Sequence, residues 1–569
     1  MEVEASFKPS LDEVTLRRPF LSRDFLDSEV AIVGLAVERD EEGYAARVDY
    51  SDGRAYTFSS ASDVLNWLSL DEPYLVRFVR GGQREFDAIL KWFGPKVFLS
   101  AEGSYLPALG FKVSLGELKV SFRPNAFSVY GKRNRRLSST YCLAPFYHMS
   151  YLLPDDIDCF GVQYFARRLV DGMLKHSVPF SDLKGPGSVF QSILVDSGVR
   201  FGLSTAPPEA TALALDCYHT NWLEAFALGH FDDTYDYDVT SAYPYQVSQL
   251  VSPAATYGTW VQSRKHVGGA AYGFLRAVVR IPPEVPLSPI MFRNSCSWDG
   301  YRRTRQANVW GEWTGAILAE EEEFIRDRGL GKVEVLDGWW FVPDVVLYPF
   351  RAPMAKLFTL RDEAGADKAM ATLFKVVAAT SQGKFISTYY DRGVVQGGAL
   401  YEPIFAAAIV GRTRLAVADF CLSYAEDVLR VAIDGVLMGR RVPASGNKKP
   451  GSMRLAAQGE SIVLGDGEHW MPGRCVGDYI PDALGASQSE AGYYRPVKGY
   501  YSLGEGIKGD FELVGRPKKP FVWVSLASLG RAQRLFPNVP RVSGDLLSNQ
   551  YHSVMRSVDS VRGSSVCIA

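Results

Sequence analysis

The sequence predicts a multidomain protein of the α/β class. A chain of 569 residues is too long for a single hydrophobic core, so several domains are expected. Residues 28–58 alternate apolar runs with acidic and Asp-Gly turns, which predicts a strand meander. The segments SDVLNWLSL, YLVRFVR and EFDAILKWF then predict a helix, a strand and a helix. A passage rich in proline and glycine over residues 179–211 is the best candidate for a domain boundary.

The composition excludes several classes of protein. The chain is 47% hydrophobic and 22% charged, as in ordinary globular proteins, and its net charge of −2 gives no overall nucleic-acid signature. The first 20 residues have neither a basic nor an apolar signal-peptide region. No apolar run approaches the roughly 20 residues of a membrane span. We therefore expect a cytoplasmic protein, in a bacterium or a host cell, that is not secreted and has no membrane partner.

The metal ligands that the sequence offers are carboxylates. The seven cysteines are odd in number, scattered and without a CxxC pair, which argues against disulfides and zinc sites. The seven histidines form no HxH or HExxH motif. A metal site should therefore be built from aspartate or glutamate.

Five basic clusters are spread along this chain of balanced charge. Each alone is more often a solvated surface than a binding site. Together they require acidic residues to concentrate elsewhere, a pattern that fits a positive channel inside a neutral exterior. The clusters lie at residues 132–136, 301–305, 411–414, 447–450 and 515–520.

The most informative segment is YDYDVTSAYP, residues 235–244. Its alternation places Asp236 and Asp238 on one face of a strand. Pro244 cannot donate to a central ladder, so the chain should turn there. A carboxylate at a strand end beside a tight turn can hold a hard cation while the turn's amides face a phosphate. The alternative is an aspartate that only caps a loop.

A second segment, KAMATLFKVVAA, predicts a helix with Asp367 as its N-cap. Lys368, Lys375 and Gln382 lie seven residues apart and so share one face. Two cations on one face of an apolar helix suit the triphosphate of a nucleotide. The alternative is a pair of lysines that snorkel from a half-buried helix.

Two further segments have simple explanations when taken alone. In VLRVAIDGVLM, residues 428–438, two apolar runs flank Asp434-Gly435, which predicts a type I′ hairpin turn. The stretch YRPVKGYY, residues 494–501, is basic and aromatic, and an exposed edge strand would also explain it.

In their order and spacing, these four segments resemble the polymerase motifs of family B DNA polymerases, above all the small protein-primed enzymes of phages, plasmids and organelles. The resemblance covers roughly residues 215–505. The family motif DxxSLYP corresponds to residues 238–244, KxxxNSxYG to residues 375–383, and DTDS to residues 432–435. The KxY motif corresponds to residues 498–500, and the YxGG element ahead of the motifs corresponds to residues 218–221.

Two of the motifs depart from the family pattern. Ala379 and Gln382 replace the Asn and Tyr of the second motif, so the surface that reads the nascent base pair should differ. Ala432 replaces the first Asp of DTDS, whereas Asp434 matches its second Asp, which is the family's metal ligand. Both metal-binding carboxylates are therefore present, which implies that catalysis is intact.

The resemblance implies a role for each matching residue. Asp238 and Asp434 would be catalytic and, with Val239, would hold two divalent cations, Mg²⁺ in the first place and Mn²⁺ as the alternative. Tyr243 would stack under the sugar and favour dNTPs over NTPs. The incoming dNTP would contact Tyr243, Arg361, Lys368, Lys375 and Ala379. The primer and the DNA would contact Lys498, Tyr500, Gly383 and Tyr218.

The resemblance also implies a domain layout, in which an N-terminal RNase H-like domain of the exonuclease type precedes a right-hand polymerase with palm, fingers and thumb. Asp434 lies 51 positions after Gly383, which leaves little room for the insertion that strand-displacing members carry there. The expected segments are an exonuclease-like domain at 1–205, palm with the first motif at 206–285, an insertion-like subdomain at 286–345, fingers at 346–390, the second part of the palm at 391–485, and thumb and tail at 486–569.

The family's 3′–5′ exonuclease uses DxE, NxxxFD and YxxxD motifs. Here Gln83 replaces the asparagine and Arg167 replaces the tyrosine. The resemblance therefore implies an exonuclease fold with either a weak or a dead site. The candidate carboxylates are Asp27, Glu29, Asp87 and Asp171.

The function expected from the resemblance is template-directed addition of dNTPs to a 3′-hydroxyl, with primer–template DNA as the partner. The sequence leaves open whether a terminal protein or another replication factor also binds. Two other classes stay open: a nuclease whose polymerase half only holds DNA, and a DNA-binding scaffold with a degenerate polymerase site.

Overall fold

The computed structural model forms two compact units. One contains residues 1–203, 247–250 and 348–402, and the other contains residues 204–246, 251–347 and 403–569. The residues that the structure describes are 31–39, 44–70, 75–80, 111–115, 118–123, 126–131, 136–147, 157–178, 183–199, 205–219, 222–227, 229–282, 284–293, 305–306, 311–391, 394–445, 449–465, 468–471, 522–523 and 566–567.

The described residues combine helices with several sheets, in agreement with the predicted α/β class. In chain order the strands are β1 Ala31–Arg39, β2 Tyr44–Tyr50, β3 Ala55–Phe58, β4 Leu75–Val79, β5 Phe111–Leu115, β6 Leu118–Arg123, β7 Ala126–Tyr130, β8 Arg136–Cys142, β9 Leu223–Ala225, β10 Gly229–Val239, β11 Gly258–Gln262, β12 Tyr272–Ile281, β13 Phe292–Arg293, β14 Arg305–Gln306, β15 Gly311–Leu318, β16 Lys332–Pro343, β17 Thr388–Asp391, β18 Val394–Gly397, β19 Val428–Ala432, β20 Gly435–Met438, β21 Met453–Gly465, β22 Glu468–Trp470, β23 Val522–Trp523 and β24 Val566–Cys567.

The α-helices are mostly short. They are α1 Ala61–Leu68, α2 Ala144–Tyr147, α3 Cys159–Lys175, α4 Pro186–Asp196, α5 Pro208–Cys217, α6 Ala242–Ser248, α7 Ala319–Asp327, α8 Arg351–Glu363, α9 Lys368–Ala379, α10 Ser381–Lys384 and α11 Pro403–Leu422. In the part of the chain that the structure describes, none of them combines the length and the apolar character that a membrane span requires.

The first unit contains an eight-stranded sheet of order β3-β2-β1-β4-β8-β7-β6-β5. Strands β1, β2 and β3 form the predicted antiparallel meander, and β4 and β8 then add parallel to β1. The predicted helix and strand after the meander are α1 and β4. The helix predicted over residues 85–93 lies outside the described residues.

Helix α3 covers this sheet. The Asp158 side chain caps it by accepting a hydrogen bond of 2.7 Å from the Gly161 N–H. Its apolar stripe, which includes Val162, Ala166 and Leu169, is buried. A Cβ at Gly34 of β1 would stand only 2.6 Å from the Gln163 backbone nitrogen. Glycine at this position therefore lets helix and sheet approach each other closely.

The two largest sheets of the second unit are antiparallel. The six-stranded sheet has the order β22-β21-β10-β20-β19-β9, and the four-stranded sheet has the order β11-β16-β12-β15. Helix α11 covers one face of the six-stranded sheet, where Val417 and Cys421 pack in one core with Tyr237 and Val436. The four-stranded sheet takes β11 and β12 from the chain before residue 286 and β15 and β16 from the segment predicted as an insertion.

Candidate active site

Asp238, near the end of β10, and Asp434, in the turn between β19 and β20, are neighbours along the backbone of the six-stranded sheet. Strand β10 pairs with β20, and Asp238 is opposite Gly435, the residue that follows Asp434. The Val239 N–H donates a hydrogen bond of 2.9 Å to the Asp434 carbonyl. Two residues separated by 196 positions in the sequence are therefore neighbours at one end of a strand pair.

The alternation along β10 sets which face Asp238 occupies. Tyr237 is fully buried, and its hydroxyl donates to the Val442 carbonyl at 2.8 Å and accepts from the Val442 N–H at 2.8 Å. Asp236 and Asp238, on either side of it, are half-buried. The structure thus has the two aspartates on the face opposite Tyr237, as the period of two predicts.

The chain turns immediately after β10, as predicted. Ser241 has a φ of 51°, and the Tyr245 N–H donates to the Ser241 carbonyl at 2.8 Å as α6 begins. Pro244 lies in the first turn of α6, where its missing N–H has no partner to lose. This short helix is not indicated by the sequence pattern.

The hairpin that carries Asp434 differs from its predicted form. Ala432 pairs with Gly435, so the two-residue turn is Ile433-Asp434 and not Asp434-Gly435. Of these two, only Ile433 has a positive φ, at 60°, which is the pattern of a type II′ turn and not of type I′. The prediction was wrong because pairing of the two buried strands, Val431 with Val436, sets the register.

Arg454 contacts Asp238 directly. Its Nη2 atom lies 3.2 Å from Asp238 Oδ2. Strand β21 places the arginine there, because Arg454 is opposite Asp238 in the antiparallel pair of β10 and β21. Arg454 is not indicated by the sequence pattern. No local pattern joins two residues 216 positions apart.

Tyr243 and Tyr218 belong to the same neighbourhood. Burial raises the pKa of the Tyr243 hydroxyl above its ordinary value, and the negative charges of Asp434 and ionised Tyr218 raise it further. The cation of Arg414 acts in the opposite direction. The charge of Asp434 therefore acts on the Tyr243 hydroxyl.

The basic cluster at residues 411–414 is structural. Arg414 is buried, forms an ion pair with buried Glu321 and donates a hydrogen bond of 2.9 Å to the His219 carbonyl. Arg412 forms an ion pair of 2.8 Å with Glu320. The pattern suggested a solvated surface or a positive channel. Instead, each arginine is paired with a glutamate of helix α7, which neutralises it.

The helix with the predicted dNTP contacts is α9, in the first unit. Its N-cap is confirmed, since the Asp367 carboxylate accepts from the N–H groups of Ala369 and Met370 at 3.1 and 3.2 Å. Lys368 and Lys375 are both exposed, whereas Phe374 belongs to the buried face.

The other predicted contacts of the first unit lie close by in the chain. Arg361, on α8, is half-buried, with its guanidinium 3.7 Å from Asp362 and 5.9 Å from the centre of the Phe358 ring. Ala379 is the last residue of α9, and Gly383 is exposed in α10.

Only one exonuclease candidate lies in the described part of the chain. Asp171 is exposed on α3, and Arg167 Nε lies 2.7 Å from its Oδ2. The remaining predicted site residues lie outside the described residues: Asp27, Glu29, Asp87, Lys498 and Tyr500.

Two carboxylates at the end of β10 are the donors that a divalent cation would have there. Among the described residues no group of three or more His, Cys, Asp or Glu side chains could hold a metal ion. Asp238 and Asp434 supply two carboxylates. Mg²⁺ is commonly held by one or two carboxylates together with substrate phosphates, so two are sufficient.

Solved structures share the fold of this chain. Phi29 DNA polymerase, in a ternary complex with primer–template DNA and incoming nucleotide substrates, matches with a TM-score of 0.56 and 13% sequence identity over 76% of this chain and 85% of that one. An orthorhombic crystal form of the same enzyme matches with a TM-score of 0.56 and 11% identity over 85% and 95%. The chain has the fold of Phi29 DNA polymerase.

This match confirms the resemblance to family B DNA polymerases at the level of the fold. No protein-family model matches the sequence. No curated protein matches it either. The Phi29 enzyme is also known in complex with single-stranded DNA, in a structure that matches this chain with a TM-score of 0.52 and 12% identity.

Proposed function

We propose that this protein is a DNA-directed DNA polymerase of the family B type, which adds dNTPs to a primer 3′-hydroxyl by two-metal phosphoryl transfer. The observation that carries the proposal is the placement of Asp238 and Asp434 as neighbours along the backbone, within the fold of Phi29 DNA polymerase. Catalysis of phosphoryl transfer consists mainly of positioning the reactants and stabilising charge. Two neighbouring carboxylates suit this reaction because they can hold the cations that stabilise the charge.

Asp238 and Asp434, with the backbone of Val239, would hold the cations. When bound, two Mg²⁺ ions would ionise the primer hydroxyl and neutralise the charge that develops on the triphosphate. The hydrogen bond from Val239 to the Asp434 carbonyl fixes the two strand ends to each other. The backbone positions of the two aspartates are thereby fixed relative to each other before substrate binds.

The dNTP would be recognised by its phosphates and its sugar. Lys375 and Lys368 are exposed cations on α9 and would neutralise the triphosphate, with Arg361 of α8. Tyr243 would close the space beside the 2′ position of the sugar. Its ring is half-buried and a tyrosine hydroxyl is neutral near neutral pH, so it would act by shape rather than by charge.

The N-terminal half would carry a weakened 3′–5′ exonuclease. The sheet of the first unit, in which β4 and β8 run parallel to the first strand of a meander, supports an RNase H-like domain. Arg167 binds Asp171, the one candidate carboxylate among the described residues. A cation in that place would compete with a metal ion for the carboxylate.

One assay separates the three classes of function. Purified protein is incubated with a labelled primer–template, Mg²⁺ and four dNTPs, and the same duplex is used in a gel shift without dNTPs. A polymerase lengthens the primer, a nuclease only shortens it, and a scaffold shifts the duplex and leaves its length unchanged. Binding without extension would contradict the proposal.

A further inference from the structure

Arg454 is the residue that faces Asp238 across the sheet. In the antiparallel pair of β10 and β21, Asp238 is opposite Arg454 and Val239 is opposite Met453. Side chains directly opposite in such a pair stand on the same face and touch. On its other side Asp238 is opposite Gly435, which has no side chain. The cross-strand partner of the Asp238 carboxylate is therefore a guanidinium.

The ion pair is partly shielded from water. The two side chains are 37% exposed for Arg454 and 26% exposed for Asp238, and their atoms approach to 3.2 Å. Attraction between charges is stronger in such a site than on an open surface. The Arg454 Nε is buried and has no hydrogen-bond partner among the described residues. Within that part of the chain, Asp238 is the group that holds the guanidinium.

We propose that Arg454 is a positioning residue that occupies Asp238 until a divalent cation displaces it, and so sets the metal affinity of the site. The inference rests on the proposed function, because Asp238 is a metal ligand only there. The guanidinium offers several N–H donors and no acceptor, so it cannot itself bind the metal. It competes for the same carboxylate oxygen.

Two effects of the guanidinium oppose each other. It orients the carboxylate, which favours metal binding, and it repels a second cation, which opposes it. Orienting one short side chain is a small effect. A full positive charge in direct contact with the carboxylate repels a divalent cation more strongly than it would repel a monovalent one, and the partly shielded site strengthens that repulsion. Repulsion therefore dominates, and removal of the charge should tighten metal binding.

The test measures Mn²⁺ binding by electron paramagnetic resonance of the free ion, without DNA or nucleotide. We expect Arg454→Gln and Arg454→Met, which keep much of the side chain without its charge, to bind Mn²⁺ on the order of tenfold more tightly than the wild type. Arg454→Lys keeps the charge and should stay within about twofold of the wild type. The matched control is Arg440→Gln, which breaks the 2.7 Å ion pair with Asp427 in the same unit and should change nothing.

The Asp238→Asn substitution, made alone and with Arg454→Gln, separates this inference from the proposed function. Each Asp238→Asn variant should bind Mn²⁺ more weakly than the matching protein that keeps Asp238. One result would overturn the role of Arg454 and leave the proposed metal site standing. In that result the wild type, Arg454→Gln and Arg454→Met bind Mn²⁺ with equal affinity, while Asp238→Asn binds it weakly. Binding that Asp238→Asn does not weaken in either background would overturn both. Thermal unfolding of every variant checks that each one is folded.

Discussion

At the scale of single residues, the site is defined by what stands next to each carboxylate. Asp238 lies between Gly435, which adds no side chain, and Arg454, which adds a cation. Asp434 follows Ile433, whose φ of 60° is unfavourable for a β-branched residue by roughly 1–3 kcal/mol. A strained residue directly before a carboxylate suggests that this turn is shaped by the position of Asp434 and not by stability alone.

Tyr243 gives a prediction about sugar selection. Tyr243→Ala should raise incorporation of NTPs relative to dNTPs by roughly tenfold to a hundredfold, because it removes a wall beside the 2′ position and no charge. Tyr243→Phe keeps the ring and should keep the discrimination. The measurement is kcat/KM for one dNTP and its matching NTP in single-nucleotide extension. Unchanged discrimination in the Ala variant would contradict the role of Tyr243.

Arg167 gives a prediction about proofreading. The wild type should degrade single-stranded 3′ ends far more slowly than it polymerises, because Arg167 pairs with Asp171 and stands where the resemblance expects a tyrosine that orients water. Arg167→Gln should raise this rate severalfold, and Asp171→Asn should lower it. Arg168→Gln, on the neighbouring exposed position, is the control and should have no effect. The measurement is shortening of a 5′-labelled oligonucleotide.

Either of two results would contradict this account of the exonuclease. Vigorous proofreading by the wild type would show that Arg167 does not weaken the site. Complete inactivity that persists in Arg167→Gln would show that the candidate carboxylates do not converge, and that the domain has only a structural role.

At the scale of elements, local patterns predicted local structure well. The meander of β1, β2 and β3, helix α1, and α9 with its Asp367 cap all follow from periodicity and capping within a few residues. The predicted type I′ turn at Asp434-Gly435 was wrong, because strand pairing fixed the register and placed the turn at Ile433-Asp434. The partner of Asp238 and the burial of Arg414 depend on contacts between distant segments, which no local pattern contains.

The packing of α3 on β1 gives a prediction about stability. Gly34→Ala should destabilise the protein by about 1–3 kcal/mol, because the new methyl group would overlap the backbone of α3 near Cys159 and Gln163. Gly268→Ala is the control, since a Cβ there meets no atom within 4 Å and the change should stay within about 0.5 kcal/mol. Thermal unfolding measures both. Equal stability of the two variants would contradict the close approach of helix and sheet.

At the scale of the whole molecule, the resemblance to family B DNA polymerases depended on the few residues of the sequence motifs. Sequence identity to the Phi29 enzyme is only 11–13% in the matches described, yet the fold is shared over most of both chains. A fold tolerates replacement of most residues if burial and volume are kept, whereas a metal ligand tolerates almost none. The sparse motifs therefore indicated the fold even where the second and third were altered. The domain boundaries drawn from them stay predictions.

The stretch between Gly383 and Asp434 predicts weak strand displacement. It is filled by the short hairpin of β17 and β18, by α11 and by β19, which leaves little chain for an inserted subdomain. On singly primed circular DNA without accessory factors, synthesis should stop after about one circuit. Product length on a denaturing gel measures this. Displaced products of many kilobases would contradict the prediction.

The central claim is that Asp238 and Asp434 form one metal site for nucleotide transfer. Its most direct test is single-nucleotide primer extension by Asp238→Asn and Asp434→Asn, with Asp233→Asn on the exposed part of β10 as the control. A gel shift of the same duplex measures DNA binding in each variant. We expect each site variant to lose at least about a thousandfold in kcat while binding DNA within a fewfold of the wild type, because the carboxylates act in the transition state and phosphate contacts supply the affinity. Extension by either site variant at a rate near that of Asp233→Asn would contradict the claim.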